Sequence, residues 1–166
     1  DLVDGEGRPF RLGSAFDGKR PVVLALVYYD CPMLCGLILS GMAQAMRENG
    51  LVLGKDYRAV TVSFDPEEKP AQGAERRRGY LQSMGLADAA GEWPFLVGTG
   101  VATRALADAV GFRYRYDPKS GEFARQATLV VLDEPTASLD ARAEHELFRR
   151  FKELAHGRTT ILISHR

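Results

Sequence analysis

The sequence predicts an α/β domain built on a mostly parallel sheet, and three observations carry that prediction. Apolar, β-branched runs of strand length alternate with stretches whose apolar residues recur at three and four; the first strand candidate is apolar on successive residues; and turn chemistry separates the segments. Asp1 to Asp4 and Pro9 to Leu12 read as two short strands around the turn Gly5-Glu6-Gly7, an edge hairpin ahead of the main fold. Val22 to Tyr28 lacks the polar alternation of a half-exposed strand, so it predicts a central strand covered on both faces. From Pro32 to about Arg47, Leu34, Leu37, Ile38, Met42, Ala45 and Met46 mark one helical face, and Asn49-Gly50 stops the helix. Tyr57 to Phe64 predicts a second buried strand. Asp65-Pro66-Glu67-Glu68 then forms an acidic, proline-marked start to a helix over about Ala71 to Met84. Pro94 to Val97 follows as a strand, Val101 to Val110 as a helix and Phe112 to Tyr116 as a strand that turns at Asp117-Pro118-Lys119-Ser120-Gly121. Beyond Gln126, Thr128 to Leu132 and Thr159 to Ile163 predict strands, with an amphipathic helix over Ala141 to Ala155 between them. There is no internal repeat.

Composition bounds what such a domain can do. With 166 residues, 45% of them hydrophobic, the chain can bury one substantial core, and a second complete domain would barely fit. Lysine plus arginine and aspartate plus glutamate both number 22, so no excess charge draws the protein to nucleic acid or to an anionic membrane. The longest apolar stretch, Pro21 to Tyr29, is far short of the ~20 residues a spanning helix requires. The chain opens at Asp1 and closes at Arg166 just after an apolar run, so both ends are expected to be cut from longer chains.

The chemistry concentrates in Tyr29-Asp30-Cys31-Pro32-Met33-Leu34-Cys35, where a buried strand passes into the first turn of a helix. A spacing of four places both sulfurs on one helical face. Unpaired amides and the positive end of the helix dipole favour thiolate there, making the pair redox-active or a chelate for a soft metal such as Cu(I) or zinc. Two sulfurs leave such a metal coordinatively short, so a further ligand is needed. The same residues would also suit two inert cysteines in a core helix.

The runs "VVLALVYYDCPMLC", "VTVSFDPEEKP" and "WPFLVG", followed by "ALADAVGFRYRYDPKSGEFA", together resemble the Sco/SenC copper-chaperone family over about 125 of the 166 residues. The resemblance implies a thioredoxin-like fold, copper bound by the two cysteines and a late histidine, and work on the copper subunit of cytochrome oxidase or with a thiol-redox partner. Cys31 and Cys35 match the family cysteines. Asp65 matches an acidic residue the family keeps near its site, beside the metal ligands and not itself one of them, and reads equally well as the N-cap of the following helix. Where family members carry histidine, as in "GEFAHAAGIVVL", this chain reads "GEFARQATLVVL" and has Arg125. A permanently charged, donor-only guanidinium cannot ligate copper, so an incomplete, weak copper site is expected, while thiol–disulfide exchange needs only the pair.

From about Arg125 the sequence changes character. "LVVLDEPTASLD", a helix and then "TTILISHR" resemble the stretch of an ABC-transporter ATPase domain from Walker B to the H-loop, over about 40 residues. That resemblance implies Asp133 as the magnesium carboxylate, Glu134 as the base that polarises water, Ser138 and Asp140 in the D-loop, and His165 as the switch histidine facing ATP. The chain has no Gly-x-x-x-x-Gly-Lys-Ser/Thr loop to cradle phosphates, so these residues are vestigial and ATP hydrolysis is not expected. The basic residues of the 141–155 helix read as a solvated face. The expected organisation is a Sco-like domain over 1–125, truncated at its C-terminus, joined to a strand-helix-strand over 126–166 grafted from a P-loop ATPase. The two parts imply different settings, extracytoplasmic for the first and cytoplasmic for the second. Expected functions are therefore a copper-binding or thiol-redox domain, an ATP-binding fragment, or an inactive hybrid.

Overall fold

The computed structural model describes residues 1–32, 34–48, 50–86, 91–125, 128–133 and 159–164, with residues 34, 125, 128–133 and 159–164 described by their backbone alone. Its centre is β3 (Val22–Val27), every residue of which is buried. Six consecutive apolar side chains with no polar alternation can be accommodated only by a strand covered on both faces, which is where the chain places them. On one side β3 runs parallel to β4 (Arg58–Ser63), in the register Val22↔Arg58 to Val27↔Ser63. β4 in turn runs parallel to β5 (Phe95–Gly98). The hairpin of β1 (Leu2–Val3) and β2 (Pro9–Phe10) closes that side, with β1 antiparallel to β5. A 3-10 turn over Leu12–Ala15 follows β2.

The helices connect these strands and cover them. α1 (Leu34–Glu48) follows β3 and buries Ile38, Leu39, Met42, Ala43, Ala45 and Met46. Leu37, expected on the same face, is 49% exposed, because the inward stripe runs through 38 and 39 instead. α2 (Pro70–Ser83) follows β4, and α3 (Gly100–Ala109) follows β5 with Thr99 as its cap, its hydroxyl accepting from Ala102 N at 3.3 Å. The acidic start expected at Asp65 is displaced: α2 begins at Pro70, Lys69 N donates to Gln72 Oε1 at 2.5 Å, and Asp65 Oδ1 accepts from Glu67 N at 2.9 Å within a turn ahead of the helix. Asp65 is thus a turn residue and not the cap of α2.

β6 (Tyr114–Asp117) and β7 (Glu122–Arg125) form a two-stranded ribbon of their own. β8 (Thr128–Asp133), the next strand after that ribbon in the sequence, pairs antiparallel with β3, from Val22↔Leu132 to Ala25↔Leu129. The free edge of β3 leaves a row of unpaired backbone groups, and β8 fills it. β9 (Thr159–Ser164) then lies parallel to β8. Among the described residues the main sheet has seven strands in the order β2-β1-β5-β4-β3-β8-β9, so β3 and β4 are interior as expected. The helix expected over 141–155 lies outside the described residues.

α2 is largely polar; Leu81 is buried beneath it, Tyr80 packs on Trp93 and Phe95, and one small residue lets its first turns come close to the sheet. A Cβ on Gly73 would lie 3.1 Å from the Tyr29 ring and 3.4 Å from Phe95 O. Tyr29 cannot retreat easily, because its ring stacks on Phe95 and its hydroxyl donates to Leu96 O at 2.7 Å. Gly73→Ala should therefore lower stability, even though alanine gains about 1 kcal/mol of helix propensity, since overpacking a fixed contact costs about 1–3 kcal/mol. A urea midpoint at or above that of the unmodified protein would show that Tyr29 yields.

Candidate functional site

The two cysteines lie where β3 meets α1. A tight turn, with Cys31 N donating to Tyr28 O at 3.4 Å, carries the chain off the sheet, and Cys35 is the second residue of α1. The backbone ties both sulfurs in place: Cys35 N donates to Cys31 Sγ and Tyr28 N to Cys35 Sγ, each at 3.2 Å. An N–H aimed at sulfur favours thiolate over thiol, as does the helix N-terminus beside it. Both cysteines are unbridged and buried, Cys31 at 8% exposure and Cys35 at 2%.

The loop before Cys31 is held from beneath by a group that sequence reasoning passed over. Glu68, read there only as part of an acidic helix start, is buried. Its Oε1 accepts from Asp30 N at 2.7 Å and its Oε2 from Ser63 Oγ at 2.5 Å. The Asp30 side chain is tied in turn, with Gln72 Nε2 donating to its Oδ2 at 2.6 Å. No local pattern marks this arrangement, because Asp30, which both side chains hold, lies 38 residues from Glu68 and 42 from Gln72. Asp65, the acidic residue singled out earlier, bonds to Glu67 N in its own turn; the carboxylate that reaches the cysteine loop is that of Glu68. Burial raises the Glu68 pKa above the ordinary carboxyl value, and the nearby Asp65 charge acts in the same direction, against the bonds from Ser63, Tyr29 and Asp30 that lower it. Burial likewise pushes the Tyr29 phenol well above its usual range, so it stays a neutral donor.

An aromatic cluster flanks the other side of the loop. Tyr28 packs on Phe64 and Phe123 at centroid separations of 5.6 and 5.4 Å, and Phe64 on Tyr114 at 4.6 Å. Phe123 belongs to β7, so these rings seat the β6–β7 ribbon against the residue whose N–H reaches Cys35. The backbone of Arg125 pairs with that of Tyr114 at the end of the ribbon. On the helix side, an open cleft of about 750 Å³ between α1 and α2 is lined by Asp30, Ser40, Gln72, Arg76, Tyr80 and Ser83.

Among the described residues no group of three or more His, Cys, Asp or Glu is arranged to hold a metal ion. Cys31 and Cys35 are brought together; two sulfurs alone suit a soft, low-coordinate ion such as Cu(I), as the donor chemistry requires. Of the ATPase-like residues, Asp133 ends β8, where its backbone pairs with Ser164, while Glu134, Ser138, Asp140 and His165 lie outside the described residues. No described helix is long and apolar enough to cross a membrane.

Parallel strands at the sheet's centre and a two-cysteine turn running from a buried strand into a helix define a thioredoxin-like dithiol domain. The chain matches the SCO1/SenC family over residues 1–147 and belongs to that family. The match continues past Arg125, where a change of family was expected. The putative electron transfer protein from Aquifex aeolicus VF5 has a similar fold, with a TM-score of 0.67 and 22% identity over 94% of this chain and 91% of that one. So does ScoI from Bradyrhizobium japonicum, solved with copper bound, with a TM-score of 0.63 and 20% identity over 90% of this chain and 95% of that one. The curated relatives are of another kind. The ATP-dependent lipid A-core flippase of Ralstonia nicotianae is 28% identical over 167 residues, spanning 93% of this chain and 28% of the flippase. The arabinose import ATP-binding protein AraG of Yersinia pestis is 50% identical over 44 residues, 26% of this chain and 8% of that protein. The chain thus spans about a quarter of the length of the flippase.

A raised Glu68 pKa has a defined sign in stability. Between the ordinary carboxyl value and the raised one, the folded protein holds a proton that the unfolded chain has released, so stability falls as pH rises through that window. Glu68→Gln cannot ionise and should abolish this slope. Urea midpoints from about pH 4 to about pH 8 should show the unmodified protein losing ground to the variant as pH rises. A difference independent of pH would contradict the assignment.

Proposed function

We propose that this domain handles copper or exchanges thiols for disulfides through Cys31 and Cys35, in assembling the copper centre of cytochrome oxidase. The observation that carries the reading is the pair of sulfurs, each accepting a backbone N–H, at the mouth of α1. Family membership and the copper bound to Bradyrhizobium japonicum ScoI support it. Two thiolates are soft donors that select Cu(I) over hard cations, and Cu(I) is here the cargo. In exchange chemistry, the thiolate of Cys31 attacks a partner disulfide, and Cys35 resolves the mixed disulfide by displacing the partner's thiolate. The copper-subunit or thiol-redox partner and the extracytoplasmic setting come with the family and belong to the same proposal.

The site is incomplete. Arg125 stands where the family resemblance places the third ligand, and the aromatic cluster supports that position by seating β7 beside the cysteine loop. A guanidinium there supplies no lone pair and repels the cation. Cu(I) should consequently bind weakly, Cys31→Ser should weaken it at least tenfold further, and Arg125→His should tighten it. Competition titration with a Cu(I) chelator measures all three. Equal affinities for the unmodified protein and Cys31→Ser would remove the site, and an unchanged Arg125→His affinity would remove Arg125 from it.

A second reading is favoured by one observation, the 50% identity to AraG over 44 residues. On this reading the segment 126–166 is a Walker B to H-loop piece of an ABC ATPase fused to a Sco-like domain over 1–125. Asp133, Glu134, Ser138, Asp140 and His165 would be remnants of an ATP and magnesium site, and the fusion would be a folded hybrid. Without a phosphate loop, ATP should not bind measurably to the chain. Affinity that is lost in Glu134→Gln or Asp133→Ala would establish a working nucleotide site.

A further inference from the structure

We infer that Glu68 is a positioning residue for the cysteine pair, fixing by its reach, rather than by its charge, where the loop presents Cys31 to Cys35. The inference rests on the dithiol reading above and extends it. A carboxylate between two strand ends has two donors to satisfy, and Glu68 satisfies one from each. Ser63 Oγ donates from the last residue of β4, and Asp30 N from the turn that leaves β3. The last ladder pair of those strands is Val27↔Ser63, with Phe64 N donating to Val27 O just beyond it at 2.9 Å. Past that point the parallel ladder no longer holds the two chains together. Glu68 supplies the next connection, one residue ahead of Cys31, and Gln72 supplies another through the Asp30 side chain.

Burying a carboxylate is costly, and it is tolerated where bonds to it fix a backbone that would otherwise be free. The loop in question contains the first cysteine. Cys31 Sγ is directed by the N–H of Cys35, so a backbone free to shift at Asp30 would move one sulfur relative to the other. The equilibrium between dithiol and disulfide depends steeply on that placement, since it sets the effective concentration of one thiol at the other.

Two conservative substitutions separate reach from charge. Glu68→Asp keeps the charge but shortens the side chain by one carbon–carbon bond, roughly 1.5 Å, more than a 2.7 Å bond to Asp30 N can absorb. Glu68→Gln keeps the reach, with one oxygen to accept from Asp30 N and an amide group for Ser63 Oγ. The chain would be equilibrated with glutathione buffers, in which one glutathione disulfide takes two electrons from Cys31 and Cys35. The Cys31–Cys35 bond forms, and two glutathiones carry away the two thiol protons. The equilibrium constant for disulfide formation should fall at least about tenfold in Glu68→Asp and stay within about threefold in Glu68→Gln. Hydrogen exchange at the Asp30 amide should quicken at least about tenfold in Glu68→Asp alone. A purely structural role would lower the unfolding midpoint and leave the dithiol equilibrium of the folded protein in place. The inference is overturned if Glu68→Asp leaves both readouts unchanged, if Glu68→Gln falls as far as Glu68→Asp, or if only Glu68→Gln falls. A protein that forms no Cys31–Cys35 disulfide at any glutathione ratio would instead sink the dithiol reading, and Asp30 exchange would still decide the brace.

Discussion

The structure depends on one strand being wanted on both of its faces. β3 offers six apolar side chains in succession, and no arrangement with an exposed face can bury them all. It must therefore lie inside the sheet, with β4 parallel on one side and β8 antiparallel on the other, both edges paired. A strand in that position cannot turn back on itself within the sheet. Its chain leaves at the C-terminal end through a short turn and enters a helix that returns over one face. The cysteines occupy that turn and the helix's first residues, so their chemistry follows from the burial that fixes the sheet.

From that turn outward, the site is assembled from pieces that the fold brings to one edge. The loop after β4 contributes Glu68, the first turn of α2 contributes Gln72, and the ribbon of β6 and β7 contributes Phe123. Each touches the cysteine loop or the tyrosine beside it. α2 can come close because Gly73 lets it lie against Tyr29 and Phe95. Trp93, fully buried, donates to Thr61 Oγ1 at 2.9 Å and packs on Phe95, which fixes β5 against β4 beneath this edge. The result is a buried dithiol, each sulfur accepting a backbone N–H, with a stiff frame behind it.

Membership of the SCO1/SenC family and the matches to ABC ATP-binding proteins overlap along the chain, the flippase match spanning 93% of it. The family match runs to residue 147, while the 44-residue AraG identity is high and short. β8 serves both descriptions, because an apolar strand of six residues satisfies the open edge of β3 whatever its ancestry. An edge in need of hydrogen bonds discriminates poorly among apolar β-strands, which is a physical reason a join at this place would be tolerated.

Read alone, the sequence determined the elements whose signals are local. The doubly buried β3 came from its unbroken apolar run, α1 from its three-and-four spacing and the Asn49-Gly50 stop, and the turn at Pro118 from its residues; the four-residue spacing put both cysteines on one helical face, whereas Cys31 lies in the turn ahead of α1. Where it erred, the folded chain decided the outcome, through a local turn at Asp65 and a long-range pairing at β8. Leu37 fits the apolar period of α1 yet faces solvent; Asp65 fits a cap yet closes a turn; and β8 follows the hairpin in sequence yet pairs with β3. Glu68 is the clearest case. In the run Asp65-Pro66-Glu67-Glu68 its neighbour Glu67 is exposed while it is buried, because only the folded chain brings Ser63 Oγ and Asp30 N to bear on one carboxylate. Periodicity and spacing encode which way a residue points along its own element; what it meets there is set by strands and loops tens of residues away, and that only the tertiary structure decides.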